Sequence, residues 1–125
     1  MSRILLALTV AMTTSALLTA PAHAQNAQAG QQVFRQQCGI CHDVAPGKNR
    51  IGPTLFGIVG RKAGSEAGFT YSDGNKNSGA VWDEATLDKY LTDPRAAMPG
   101  TKMTYAGVKS DQQRKDLIAY LATLH

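Results

Sequence analysis

Clustered basic runs, internal repeats, alternating strand-like stretches and long apolar spans are all missing from this 125-residue chain. The formal charge of +4 is spread along the sequence, which excludes the concentrated cationic surface a nucleic-acid binder needs. No segment alternates apolar and polar residues as a half-buried strand would, so the chain reads as all-α. Metal ligands are scarce as well: the two cysteines are Cys38 and Cys41, and the three histidines are His23, His42 and His125. A structural zinc site, with its four ligands, would be left incomplete.

The apolar run from Ile4 to Leu18 is interrupted by Thr and Ser and is too short for a comfortable membrane span. It follows Met1-Ser2-Arg3 and precedes Pro21 and Ala22-His23-Ala24, the layout of a secretory leader with a small-x-small cleavage site. Cleavage is expected after Ala24, so residues 1–24 are read as a signal peptide and 25–125 as one domain. A lone arginine argues against a mitochondrial transit peptide, and no cysteine near the site could carry lipid. Without Arg3 the 13 basic residues become 12 against nine acidic, a mild surplus of three. A domain this small has a thin core of its own.

Residues 38–42 read Cys-Gly-Ile-Cys-His. Two thiols three positions apart share one side of a helical turn and can each bond a haem vinyl group, while the adjoining imidazole reaches the iron. A thioredoxin-like redox pair would need a preceding strand and a long following helix. Here Pro46-Gly47, Asn49 and Gly52-Pro53 follow instead, and they spell a loop.

Around this motif the chain has few regular elements. Asn26 to Gln37 forms an amphipathic pattern, with Gly30, Val33 and Phe34 about a turn apart. Gly30 costs roughly 1 kcal/mol in a helix interior and so suggests close contact with another element. Residues 43–64 are punctuated by Pro and Gly, and a loop this long needs an interior partner such as a macrocycle to order it. Ser72 to Ser78 suits a short helix, Asp83 can cap another reaching Leu91 or Thr92, and Asp93-Pro94 stops or restarts it. Ser110-Asp111-Gln112-Gln113 resembles a capping box before Leu117, Ile118, Tyr120, Leu121 and Leu124 at helical spacing.

If His42 holds the iron from one side, the opposite position can be filled by Met98, Met103 or His125. His125 ends the chain. Met98 precedes the Pro99-Gly100 turn and could serve as an apolar plug. Met103 follows that turn and can point back inside, so loop placement favours it.

Taken together, Cys38-Gly-Ile-Cys-His42, Gly52-Pro53-Thr-Leu, Gly60-Arg61-Lys62, Gly68-Phe-Thr-Tyr71, Trp82, Tyr90-Leu91 and Pro99-Gly-Thr-Lys-Met103 resemble the class I c-type cytochromes, mitochondrial cytochrome c and its bacterial periplasmic relatives in particular. The resemblance spans nearly all of residues 25–125. It implies a small single-haem fold of four or five helices, with long loops around haem c attached through Cys38 and Cys41. It implies metal ligation by His42 and Met103, and a Pro53 carbonyl that holds the His42 ring. It also implies that Arg61, Tyr71, Trp82 and Thr101 contact or neutralise the haem propionates, that Asn75 and Tyr90 line the methionine side, and that Gly30, Phe34, Leu117 and Tyr120 form a crossing of first and last helices. For Tyr71, Trp82 and Tyr90, ordinary aromatic core is an equally good reading of the residues alone.

The implied function is a soluble, monomeric one-electron carrier of the bacterial periplasm, not an enzyme. Its donor would be a quinol–cytochrome c oxidoreductase, and its acceptor a terminal oxidase, a photosynthetic reaction centre or another reductase. Lys48, Arg50, Arg95, Lys102 and Lys109 are candidates for a basic rim that steers acidic partners, against the alternative of a scattered solvated surface. A haem enzyme or gas sensor with a labile sixth ligand is the competing class. The chain departs from the mitochondrial pattern at Tyr105, where Phe is usual, at a loop after His42 one residue shorter, and at Gln32, Gln36 and Gln37 in the first helix, where lysines near the haem edge are replaced.

Overall fold

The computed structural model describes residues 25–125. The expected leader, the expected cleavage site and His23 lie outside the described residues. Five helices follow in order: α1 (Ala27–Gln37), α2 (Asp73–Asn77), α3 (Glu84–Thr92), α4 (Pro94–Ala97) and α5 (Asp111–Leu121). Among the described residues the only pairing of extended backbone is an isolated antiparallel bridge between Lys62 and Val81.

Each helix starts where a short polar side chain can accept from otherwise unpaired amides. Asn26 Oδ1 takes the amides of Gln28 and Ala29 at 3.0 and 3.1 Å. Ser72 caps α2 through the Asn75 amide, and Asp83 caps α3 through the Thr86 amide at 2.7 Å. The restart at Asp93-Pro94 is real: Asp93 ends α3 and caps α4, accepting from Ala96, with Pro94 at the first position where its missing N–H costs nothing. Ser110 supplies the hydroxyl half of the expected capping box, accepting from the Gln113 amide at 3.3 Å.

The core centres on the crossing of α1 and α5. Val33 and Phe34 from α1 meet Leu117, Ile118, Tyr120 and Leu121 from α5, all buried, with the Phe34 and Tyr120 rings 5.7 Å apart and tilted by 50°. Gly30 is what lets the backbones approach: a Cβ there would lie 1.8 Å from the Asp116 carbonyl oxygen. The buried Asp116 carboxylate accepts from the Asn26 amide at 2.8 Å and from the Gln112 side chain at 2.9 Å, tying the start of α1 to α5. Arg114 joins α5 to α3 through Asp88 at 2.7 Å and donates to the Val108 carbonyl at 3.0 Å. Residues 43–72 form one long loop, closed by Thr54, whose buried hydroxyl donates to the Ala45 carbonyl at 2.7 Å.

The crossing makes a signed prediction. In an isolated helix Gly→Ala gains about 1 kcal/mol, but here the added methyl meets backbone that cannot yield. Gly30→Ala is expected to lower stability by about 1–3 kcal/mol in denaturant titration, which is roughly 4–8 °C of Tm per kcal/mol for a domain of this size.

Candidate cofactor-binding site

Where α1 ends, the chain turns once more before leaving the helix. The amides of Cys41 and His42 both donate to the Cys38 carbonyl at 3.0 Å, so the attachment motif is a single tight turn at the last residue of α1. The Cys41 carbonyl in turn accepts the Gly52 amide at 2.9 Å, which brings the 43–52 loop back beneath His42. Gly52 lies flat against the imidazole; a Cβ there would sit 2.2 Å from Cε1. Pro53 then offers its carbonyl to His42 Nδ1 at 2.8 Å. Since a carbonyl can only accept, Nδ1 carries the proton and Nε2 keeps its lone pair. Burial pushes the His42 pKa below the usual imidazole range and Arg61 adds to the drop, against the opposing pull of the Pro53 bond. The ring is therefore neutral at neutral pH, as a metal ligand must be.

His42 looks into a central cavity of about 340 Å³. Leu55, Ile58, Leu87, Leu91 and Leu121 make much of its wall apolar. The structure sets all eleven residues singled out from the sequence around it: Cys38, Cys41, His42, Pro53, Arg61, Tyr71, Asn75, Trp82, Tyr90, Thr101 and Met103. Tyr90 organises the side that carries Met103. Its hydroxyl lies 3.3 Å from the Thr101 hydroxyl and 3.8 Å from the Met103 sulfur, while the Met103 amide donates to Thr101 Oγ1 at 3.3 Å. Met98 is elsewhere, 5 % exposed in the core and lining a separate cavity of about 390 Å³ behind Trp82 and Tyr90. His125 is exposed at the chain end.

Arg61 is already engaged. Its guanidinium donates to the Thr54 and Phe56 carbonyls at 2.8 and 3.2 Å and forms an ion pair of 2.8 Å with Glu66, both side chains mostly buried. Glu66 also donates its amide to the Tyr71 hydroxyl at 3.2 Å. The backbone of Arg61 accepts from Trp82, so Arg61, Glu66, Tyr71 and Trp82 form one connected corner of the cavity. Sequence reasoning missed Glu66, because an acid five residues along an irregular loop has no periodicity to betray it. It also missed Ile40 and Ile51, exposed by 74 % and 77 % at the cavity mouth.

The Cys38 thiol is not poised to act as a redox nucleophile. Burial, with Cys41 close by, pushes the Cys38 pKa up to about 11, the reverse of a redox-active pair that stabilises its thiolate. Among the described residues no group of three or more His, Cys, Asp or Glu side chains is arranged to hold a metal ion by itself. What the site does offer is a large apolar cavity, two thiols on one turn of its wall, and a neutral imidazole with one nitrogen free. Those features fit a flat apolar macrocycle bonded through two thioethers.

Comparison with known proteins gives the same answer. The family model described as cytochrome c matches residues 27–125. The chain belongs to the cytochrome c family. It carries one haem c, attached covalently through Cys38 and Cys41, and it is an electron carrier rather than an enzyme. It is 54 % identical over 103 residues to a cytochrome c2 of Blastochloris viridis, covering 82 % of this chain and 80 % of that one. It is 59 % identical over 97 residues to a cytochrome c2 of Rhodomicrobium vannielii, covering 77 % of each. The solved cytochrome cH from Methylobacterium extorquens superposes with a TM-score of 0.74 at 44 % identity, over 78 % of this chain and 98 % of that one.

The Arg61–Glu66 corner is directly testable. Arg61→Leu strands a buried carboxylate and is expected to cost about 3–5 kcal/mol in equilibrium unfolding, and Arg61→Leu with Glu66→Leu recovers most of that loss.

Proposed function

We propose that this cytochrome is a soluble periplasmic shuttle whose iron is held between His42 and Met103, and that it passes single electrons between membrane redox complexes. The observation that carries this reading is the pair of supports on one cavity: Pro53 orients the His42 ring, and Tyr90 and Thr101 hold the Met103 segment. When bound, haem c supplies reversible one-electron chemistry at iron, and a His/Met ligand pair raises its potential. Pro53 fixes the imidazole and increases its basicity. Trp82, Tyr90, Leu87 and Leu91 line the cavity and would keep water from the iron. Arg61, Tyr71, Trp82 and Thr101, all lining the cavity, would hold acid groups of the cofactor, and Asn75 would line the Met103 side. Glu66 takes up part of Arg61's charge, so the corner offers less positive potential than a free arginine would.

Quinol–cytochrome c oxidoreductase as donor, and a terminal oxidase, reaction centre or other reductase as acceptor, suit a carrier of this class. Secretion into the periplasm rests on the leader-like residues 1–24. A monomer suits a diffusing carrier. No helix among the described residues is long and apolar enough to cross a membrane.

Of the candidate rim cations one is ion-paired, while two donate to backbone carbonyls that position their charges without neutralising them. Lys102 lines the cavity mouth, and Arg50 donates to the Gly39 carbonyl at 2.8 Å within the attachment turn. Lys48 is paired with Asp43 at 3.0 Å, and Lys109 donates to the Thr92 carbonyl at 2.8 Å. With a formal net charge of only +4, steering by these charges is expected to be weak. The second-order rate of oxidation by a membrane oxidase is expected to fall less than about tenfold between low and physiological ionic strength, well short of the 10³ that strong steering can add; a steeper fall would restore the full basic rim.

Ligation is tested by the weak near-infrared charge-transfer band of methionine-ligated ferric haem. Met103→Ala should abolish it. Met98→Ala should keep it while losing about 2–5 kcal/mol of stability as a buried methionine is truncated. Rapid carbon monoxide binding by the unmutated ferrous protein at neutral pH would instead favour a sensor or enzyme with a labile sixth position.

A further inference from the structure

Two departures from the mitochondrial pattern, 68 residues apart, meet in space. The Tyr105 hydroxyl donates to the Gln37 side-chain oxygen. Gln37 is the last residue of α1, next to Cys38, and Tyr105 lies two residues beyond Met103; both line the cavity. Between α4 and α5 the chain has no regular structure. Its first part is tethered through Tyr90 and Thr101, and its last part through Val108, whose amide donates to the Leu91 carbonyl at 2.7 Å. Residues 104–107 make no hydrogen bond within the described chain other than the one from Tyr105, and Thr104 and Ala106 are exposed.

We propose that Tyr105 and Gln37 form a latch that holds the Met103 segment across the cavity mouth and sets how often the sixth coordination position opens to outside ligands. The latch rests on the reading of Met103 as ligand. Tyr105 is a positioning residue: its hydroxyl acts on Met103 through the backbone of residues 103–105. The segment moves only if this bond breaks, so removing the hydroxyl while keeping the ring raises the rate of opening and leaves the ligand itself unchanged.

The test uses ferric holoprotein mixed with imidazole at concentrations where the observed binding rate has reached its plateau, which is the opening rate. Tyr105→Phe and Gln37→Leu should each raise that plateau about three- to tenfold, the worth of one net hydrogen bond. The double variant should do no more than the larger single change, because one bond is lost in all three proteins. The amides of Met103 and Val108, which bond Thr101 and Leu91 at the two ends of the segment, should exchange faster in both variants while those of the α1–α5 crossing keep the wild-type rate, an outcome that general destabilisation would not give. With the near-infrared band present in wild type, a plateau rate in Tyr105→Phe within twofold of wild type, or a double variant equal to the product of the singles, overturns the latch and leaves Met103 ligation intact. Absence of the band from wild type overturns the ligation and the latch together.

Discussion

The bond from His42 Nδ1 to the Pro53 carbonyl is a single hydrogen bond of 2.8 Å, and much of the architecture exists to place its two ends. His42 is carried on the turn that ends α1, and α1 is locked by Gly30 against α5. Pro53 is carried on a loop that returns because the Gly52 amide bonds the Cys41 carbonyl. Gly52 has no side chain because the imidazole occupies the space one would need. The result is a neutral ring with one nitrogen satisfied and the other directed at a cavity the chain does not fill by itself. A core built by side chains alone would close that volume; here it is kept open, and the long 43–72 loop has little regular structure of its own to hold its shape without an occupant.

Electrostatics follow the same economy. The corner formed by Arg61, Glu66, Tyr71 and Trp82 is satisfied internally before any cofactor acid group reaches it. An ion pair that is mostly buried contributes little net stability compared with an apolar replacement, but breaking one side of it is costly. Glu66 thus tempers Arg61 and at the same time makes Arg61 hard to replace. On the outer face, Lys48 and Arg50 are likewise engaged with nearby groups, while Ile40 and Ile51 stand exposed at the mouth. An electron-transfer surface of this kind suits brief encounters rather than tight complexes.

Much of this was legible in the sequence because its signals were local. Cys38, Cys41 and His42 carry their meaning in their spacing, and Asn26, Asp83, Asp93 and Ser110 mark helix starts through side chains that act within three residues. The cost of Gly30 in a helix pointed to a close crossing before any partner was known. Choosing Met103 over Met98 rested on which side of the Pro99-Gly100 turn each lies, and the two methionines do line different cavities. Contacts between distant irregular segments left no such trace. Asp116 accepting from Asn26, Glu66 bonded to Arg61, and Tyr105 reaching Gln37 join residues whose pairing depends on how loops close. The substitutions at 37 and 105 were visible separately; only the fold shows that they are one interaction.

The cofactor is part of the covalent chain and completes the core. The most direct measurement of this is the intact mass of the purified protein after denaturation and extraction with acidified organic solvent. The mass of the polypeptide plus one haem, retained through extraction and lost when Cys38 and Cys41 are both replaced by alanine, is the predicted result. The bare polypeptide mass, or a haem that extraction removes, would contradict it.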